Sequence, residues 1–158
     1  MMSNCAAHWA AANTFFLQSY RAEHFRRAAD IYEQLSKDRE SSSYEENDLS
    51  INSWATDAQL QWKGEPEYVR HERPSREDLE SFETAYNAAC LNIAKGAFAQ
   101  GEVLLNRAKN ICQTSEDLSP EDRAAELLPI AVQHLYVLIR QGKTEEADAL
   151  IKDLSVEE

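Results

Sequence analysis

Apolar residues recur every three or four positions through most of the chain, and the pattern is clearest between Tyr86 and Cys112. Ala85, Ala88 and Ala89 run down one arm, Gly96 follows, and Phe98, Gly101, Leu105 and Ala108 run down a second. Such spacing puts side chains on one face of a helix, and a glycine just past the last turn is a usual stop. The stretch predicts helix, tight turn, helix. Two short helices can bury only part of their apolar surface in each other, so neighbours of the same kind are expected on either side.

From Ala6 to Leu35 the pattern repeats. Trp9, Ala12, Phe15, Phe16 and Ser19 share a face of one arm, and Phe25, Ala28, Ile31, Tyr32 and Leu35 share a face of the next. The turn between them, Arg21 to His24, lacks glycine. After the polar Ser41-Ser42-Ser43 a third helix is predicted from about Glu45 to Trp62, marked by Leu49, Trp54, Ala55, Ala58 and Leu60. Gly64 and Pro66 stop it, and residues 64–74 have no helical period, so a loop stands where a second arm is expected. That pair is degenerate.

Ser75 with Asp78 has the form of a capping box and predicts the start of the helix that contains Tyr86. Ser119-Pro120-Glu121-Asp122 is a strong start for another: N-cap serine, proline at the first helical position, acids in the first turn. Pro129 should kink that helix or restart it, because proline removes a backbone donor. Gly142 ends the arm, Thr144 caps a last helix to about Leu154, and Ser155 to Glu158 are expected to fray.

The turns share a spacing. Gly96, Gly101, Leu105 and Ala108 align with Gly142, Ala147, Ile151 and Leu154, and with Glu23, Ala28, Tyr32 and Leu35. The small residue five after each turn marks where the second helix crosses close to the first. This spacing resembles the tetratricopeptide repeat, a helical hairpin of about 34 residues. The sequence departs from that pattern at the family's tryptophan, which is Ala12, Ala85 and Ala131 here, while its small residue on the first helix survives as Ala89. The Gln113 to Pro120 connection is also an insertion. The expected fold is an all-α tetratricopeptide solenoid of about seven helices, one domain over residues 1–158 with pairs at about 6–36, 45–74, 76–113 and 119–154. A plain helical bundle is the alternative.

Composition narrows the function. Of 158 residues, 43% are hydrophobic and 28% charged, as in ordinary folded domains. Sixteen basic and 28 acidic side chains give a net charge of −12, which argues against nucleic-acid binding unless a local patch overrides it. The one local basic group is Arg70, His71, Arg73 and Arg76, which fits a solvated loop or a contact to an acidic partner or RNA phosphates. Cys5, Cys90 and Cys112 form an odd set without short spacing, read as reduced, buried thiols of a cytosolic protein. No apolar run approaches the roughly 18 residues of a membrane span, and no signal-peptide layout opens the chain. His8, His24, His71 and His134 are far apart, with no metal-ligand spacing, and no phosphate loop or nucleophile elbow is present. No catalytic residue, metal, cofactor or small-molecule substrate is expected, and His134 reads as a satisfied core residue.

Stacked hairpins line a concave surface mainly with the first helix of each pair. The repeat register implies Asn13, Thr14, Leu17 and Tyr20 in the first pair, Glu83, Tyr86, Asn87, Cys90 and Ile93 in the third, and Val132, Gln133, Tyr136 and Arg140 in the last. Asn87 is the leading candidate, since an amide can both donate to and accept from a peptide backbone. Ordinary packing between repeats is the competing role for each, and the favoured one for Cys90. The repeats that clamp a free C-terminal carboxylate use lysine and asparagine on these helices. Here the matching positions hold Asn13, Leu17, Tyr86, Cys90, Val132 and Tyr136, with no lysine.

A closer resemblance lies in TAYNAACLNIAKGAFAQGEVLLNRAKNIC, an acidic insert, and AELLPIAVQHLYVLIRQGKTEEADALI, with YEENDLSINSWATDAQLQW upstream. These segments resemble the N-terminal repeat domain of the family of 72-kDa subunits of the eukaryotic signal recognition particle. The family implies a protein-binding scaffold and not an enzyme. It implies a groove that holds the C-terminal segment of the 68-kDa subunit in a ribonucleoprotein serving co-translational targeting to the endoplasmic reticulum. The RNA-binding region of the family lies far downstream of these repeats, so this segment is expected to touch neither RNA nor membrane. A cytoplasmic location follows, with endoplasmic-reticulum-associated and nucleolar pools. A repeat adaptor for another peptide, or a self-associating module, is the rival.

Overall fold

The computed structural model describes residues 18–37 and 43–156. Six α-helices are complete there: α1 Phe25–Lys37, α2 Ser43–Trp62, α3 Phe82–Ala94, α4 Phe98–Thr114, α5 Pro120–Arg140 and α6 Thr144–Val156. Helical residues 18–21 precede α1, and short 3-10 turns occupy Pro66–Tyr68 and Asp78–Glu80. No strand occurs among the described residues. The all-α expectation with about seven helices therefore stands. Trp9, Ala12, Phe15, Phe16, Cys5, Asn13, Thr14 and Leu17 lie outside the described residues. The chain forms two compact units, Met1–Glu72 and Arg73–Glu158.

Four helix ends share one geometry. Glu23, Gly64, Gly96 and Gly142 have φ of 58°, 80°, 78° and 72°. At Gly96 the amide reaches the Ile93 carbonyl at 2.9 Å, and the Ala97 amide reaches Asn92 at 2.9 Å. Gly142 and Lys143 repeat these bonds to Ile139 and Leu138 at 3.0 and 2.9 Å, and Glu23 and His24 repeat them to Tyr20 and Ser19 at 2.9 and 2.8 Å. The pairing of a three-back and a five-back bond is the Schellman motif, which satisfies the last orphan carbonyls of a helix. The alignment of Glu23 with the two glycines is thus a matter of backbone conformation. The turn forms there without glycine.

In the second unit, α3 and α4 pack through small residues. Ala85, Ala88, Ala89 and Ala108 are fully buried, with Leu91, Leu104, Leu105 and Cys112 around them. Gly101 sits at the crossing: a Cβ built there would lie 2.7 Å from Ile93 Cγ1 and 3.5 Å from the Ala89 carbonyl oxygen. Ala147, at the matching position of α6, is also buried, as are Val137 and Leu138 of α5, on which α6 packs. Ile151 departs from its repeat partner Leu105, remaining exposed because α6 packs chiefly on α5.

Several helix limits differ from expectation. Ser75 and Asp78 do bond reciprocally, amide to Oδ2 at 2.8 Å and amide to Oγ at 3.1 Å. They close only the turn that ends at Glu80, and α3 starts later, at Phe82, with Ser81 Oγ accepting from the Thr84 amide at 3.3 Å. Helix α5 begins as expected, with Ser119 Oγ accepting from the Asp122 amide at 3.1 Å, and it continues through Pro129 without restarting. Helix α6 includes Ser155 and Val156 rather than fraying there, and Ser155 Oγ donates to the Ile151 carbonyl at 2.8 Å.

The first unit closes differently. Phe25, Ala29 and Leu60 form a core with Tyr20 and Val69 against it. Arg26 grips Glu65 with both Nε and Nη2, at 2.9 and 3.0 Å, joining α1 to the segment after α2. No second arm follows α2; residues 69–71 instead fold back over it. Trp54, fully buried, stacks on the His71 ring at a centroid distance of 4.1 Å. One turn along α2, Asp57 is 1% exposed, and its Oδ2 accepts from the Arg70 amide, the His71 amide and His71 Nδ1 at 2.9, 2.7 and 2.8 Å. The degenerate second pair is a helix plus a loop held by one buried carboxylate. Among the expected apolar marks, Leu49, Trp54, Ala58 and Leu60 are buried, while Ala55 is half-buried.

Candidate peptide-binding surface

Helices α3 and α5 touch in the second unit, where Tyr86 of α3 meets Gln133 of α5. Tyr86 lies against Cys90 one turn along α3 and against the Gln133 side chain of α5, as polar neighbours. All three belong to the expected lining, and the structure brings them together. Burial drives the Tyr86 phenol above its ordinary range, helped by Cys90 and opposed by Gln133. Burial also pushes the Cys90 thiol up to about 11, only partly offset by the Tyr86 hydroxyl. A thiol so shifted stays protonated near neutral pH and is a poor nucleophile, which suits packing and not chemistry.

Around this contact the surface is mixed. Asn87 is half-buried beside Tyr86, and Glu83 accepts a 2.6 Å hydrogen bond from Ser81 Oγ at the start of α3. Ile93 turns inward, buried against Gly101, because it lies one helical turn from Ala89 on the side facing α4. On α5, Val132 is 53% exposed, and Leu128 and Ile139 share its outward side. Tyr136 and Arg140 form one cluster with Phe98 of α4. Arg140 Nη1 donates to the Tyr136 hydroxyl at 2.7 Å, its guanidinium lies 4.8 Å from the Phe98 ring centroid, and the two rings meet edge to face at 6.3 Å. Tyr20, in the first unit, meets Phe25 edge to face at 5.2 Å.

Two features escaped the sequence. Glu102 of α4 gathers Gln141 Nε2 at 2.7 Å and Lys143 Nζ at 2.8 Å, and His134 Nε2 is 3.6 Å from its other oxygen. His134 is therefore half-buried beside a carboxylate and without a hydrogen bond at Nε2, not the satisfied core residue its apolar helix suggested. Half of the basic loop is also spent: Arg70 pairs with Asp30 and Glu33 at 2.8 and 3.3 Å, and His71 with Asp57. Only the shared turn geometry at Gly142 hinted that its flanking residues, Gln141 and Lys143, would reach back to the preceding hairpin.

The hydrogen bond from Lys143, then that from Gln141, holds the Glu102 carboxyl below its ordinary 4.5, against the opposing effect of burial. A carboxylate whose folded value is depressed contributes stability above its unfolded value and loses it as pH falls through the folded one. The second unit should thus lose melting temperature as pH falls below about 4.5. Glu102→Gln should flatten that fall; an equally steep curve for the variant would show that the clasp plays no part.

Among the described residues no group of histidine, cysteine and acidic side chains could hold a metal ion, and no helix is long and apolar enough to cross a membrane.

No family profile matches the chain, and no solved structure matches it significantly. Curated relatives do. The chain is 32% identical over 133 residues to signal recognition particle subunit SRP72 of Canis lupus familiaris, covering 81% of this chain and 19% of that protein. It is 31% identical to SRP72 of Homo sapiens, with the same coverage, and 32% identical to SRP72 of Caenorhabditis elegans over 83% of this chain and 20% of that one. The chain therefore spans about one fifth of the relatives it matches.

Proposed function

We propose that this chain is a repeat-built, protein-binding scaffold of a signal recognition particle and not an enzyme. On this reading its partner is the C-terminal segment of the 68-kDa subunit, and its work supports co-translational targeting to the endoplasmic reticulum. The cytoplasm would be its location, with endoplasmic-reticulum-associated and nucleolar pools. The observation that carries the proposal is the α3–α5 surface, where Tyr86, Cys90 and Gln133 interlock beside exposed Val132, Leu128 and Ile139. Apolar side chains flanked by a few hydrogen-bonding groups suit a peptide held by pockets and oriented by polar contacts. The likeness to SRP72 supports the choice of particle. The acidic net charge supports a protein partner over RNA. On this reading Asn87 would serve as a groove amide.

Mixing the purified chain with the isolated C-terminal segment of the 68-kDa subunit tests this directly. Titration calorimetry should give a dissociation constant of about 10 µM or tighter. Absence of heat and of pull-down at that concentration would remove the reading and favour an adaptor for another peptide. Filter binding to RNA at moderate salt should stay negative.

A further inference from the structure

We infer that Arg140 is a prepositioned cation that receives an acidic side chain of the bound segment, and that it fixes the direction in which the segment lies. The inference rests on the peptide-binding reading above. In a chain of net charge −12, several cations are already matched: Arg26 to Glu65, Lys63 to Glu23, Arg70 to Asp30 and Glu33, Lys143 to Glu102. Arg140 is held as firmly, but by neutral groups. The Tyr136 hydroxyl fixes one nitrogen at 2.7 Å, and the Phe98 and Tyr136 rings lie 4.8 and 5.6 Å from the guanidinium.

No carboxylate of the described residues pairs with it, and the residue is exposed. An aromatic cradle costs a guanidinium little of its hydrogen-bonding capacity, because the stacking uses its faces and leaves the edge donors outward. The remaining donors form a fork suited to a carboxylate, and the ordering entropy has been met before any ligand arrives.

The same helix grades in charge along its length. Glu121 and Asp122 stand in the first turn of α5 and Arg140 in the last, with exposed Leu128, Val132 and Ile139 between. At the first end Arg123 is already taken by the Ser115 and Leu118 carbonyls, so a segment with one carboxylate finds its open cation at the second end and lies one way round. Val132 and Arg140 are about 12 Å apart along a helix rising about 1.5 Å per residue. An extended segment, at about 3.3 Å per residue, would carry its acidic residue about four positions from the apolar side chain seated at Val132.

Overlapping peptides tiling the C-terminal segment of the 68-kDa subunit, acetylated and amidated at their ends so that no free terminus contributes, are the probe. The peptide that binds should weaken about tenfold when one acidic residue becomes its amide, about four positions from an apolar one. Arg140→Gln should weaken the native peptide by a similar factor, and the two changes together should weaken it no further. Arg140→Lys, which keeps charge but loses the fork, should fall between. Binding unchanged within twofold by Arg140→Gln in a variant with native melting temperature overturns the inference and leaves the peptide-binding reading intact. Should that variant melt early, the decision passes to the peptide side, where unchanged affinity on amidating every acidic position overturns it equally. If no capped peptide binds, the peptide-binding reading falls and the inference falls with it.

Discussion

Replacing Asp57 with alanine is expected to destabilise the first unit by about 3–5 kcal/mol, the scale seen when a buried charged partner is removed and its donors remain. One oxygen of Asp57 accepts from the Arg70 amide, the His71 amide and His71 Nδ1, and the residue is 1% exposed. Alanine leaves all three donors without a partner. The damage extends past them, since those bonds hold the His71 ring on Trp54, a fully buried indole whose Nε1 has no hydrogen bond of its own. Asp57→Asn keeps an acceptor of the same shape without its charge, so it should cost less than alanine. Urea denaturation followed by tryptophan fluorescence measures both. A loss under about 1 kcal/mol for alanine would mean that water replaces the carboxylate and that residues 69–71 are not held by it.

A side chain at Gly101 should also destabilise, here the second unit and by less. Alanine normally gains about 1 kcal/mol over glycine inside a helix. Here the added methyl would meet Ile93 Cγ1 at 2.7 Å, and Ile93 is itself buried, with little room to change rotamer. Overpacking of this kind costs about 1–3 kcal/mol, so Gly101→Ala should be net destabilising and Gly101→Val more so. The explanation is specific to one neighbour. Ile93→Ala in the same chain removes the obstructing atoms, and the double variant should be more stable than the sum of the single losses predicts. Additive losses in thermal melts would show that the clash lies elsewhere.

These two sites also mark what the sequence could and could not say. Gly101 was legible, because its spacing from Gly96 repeats at Ala147 and Ala28, and a small residue recurring at a helix crossing has a steric cause. Ser119-Pro120 was legible for the same reason: the cap is made within four residues. Asp57 was not. Periodicity sees α2 as a helix with apolar marks, and nothing local distinguishes a solvated aspartate from one that closes a loop thirteen residues on. The Ser75–Asp78 box misled for a related reason: its bonds are formed, but a local cap starts a turn, and only packing decides whether the turn becomes a helix. Within the candidate surface, register named Tyr86, Gln133, Tyr136 and Arg140. It could not find Phe98, which reaches Arg140 from the neighbouring helix, nor tell that Ile93 would turn toward Gly101.

The fourfold turn has a kinetic consequence. Each of its bonds joins residues no more than five apart, so the hairpin direction is set by contacts whose closure costs little chain entropy. Such turns can form before any helix has found its neighbour, at Gly64, Gly96 and Gly142 independently. Folding dominated by contacts of this range belongs to the microsecond-to-millisecond class. Glu23 is the exception in rate though not in shape, since a side chain in the left-handed region must first climb about 1–2 kcal/mol that glycine avoids. The turn at Glu23 should be the last of the four to close.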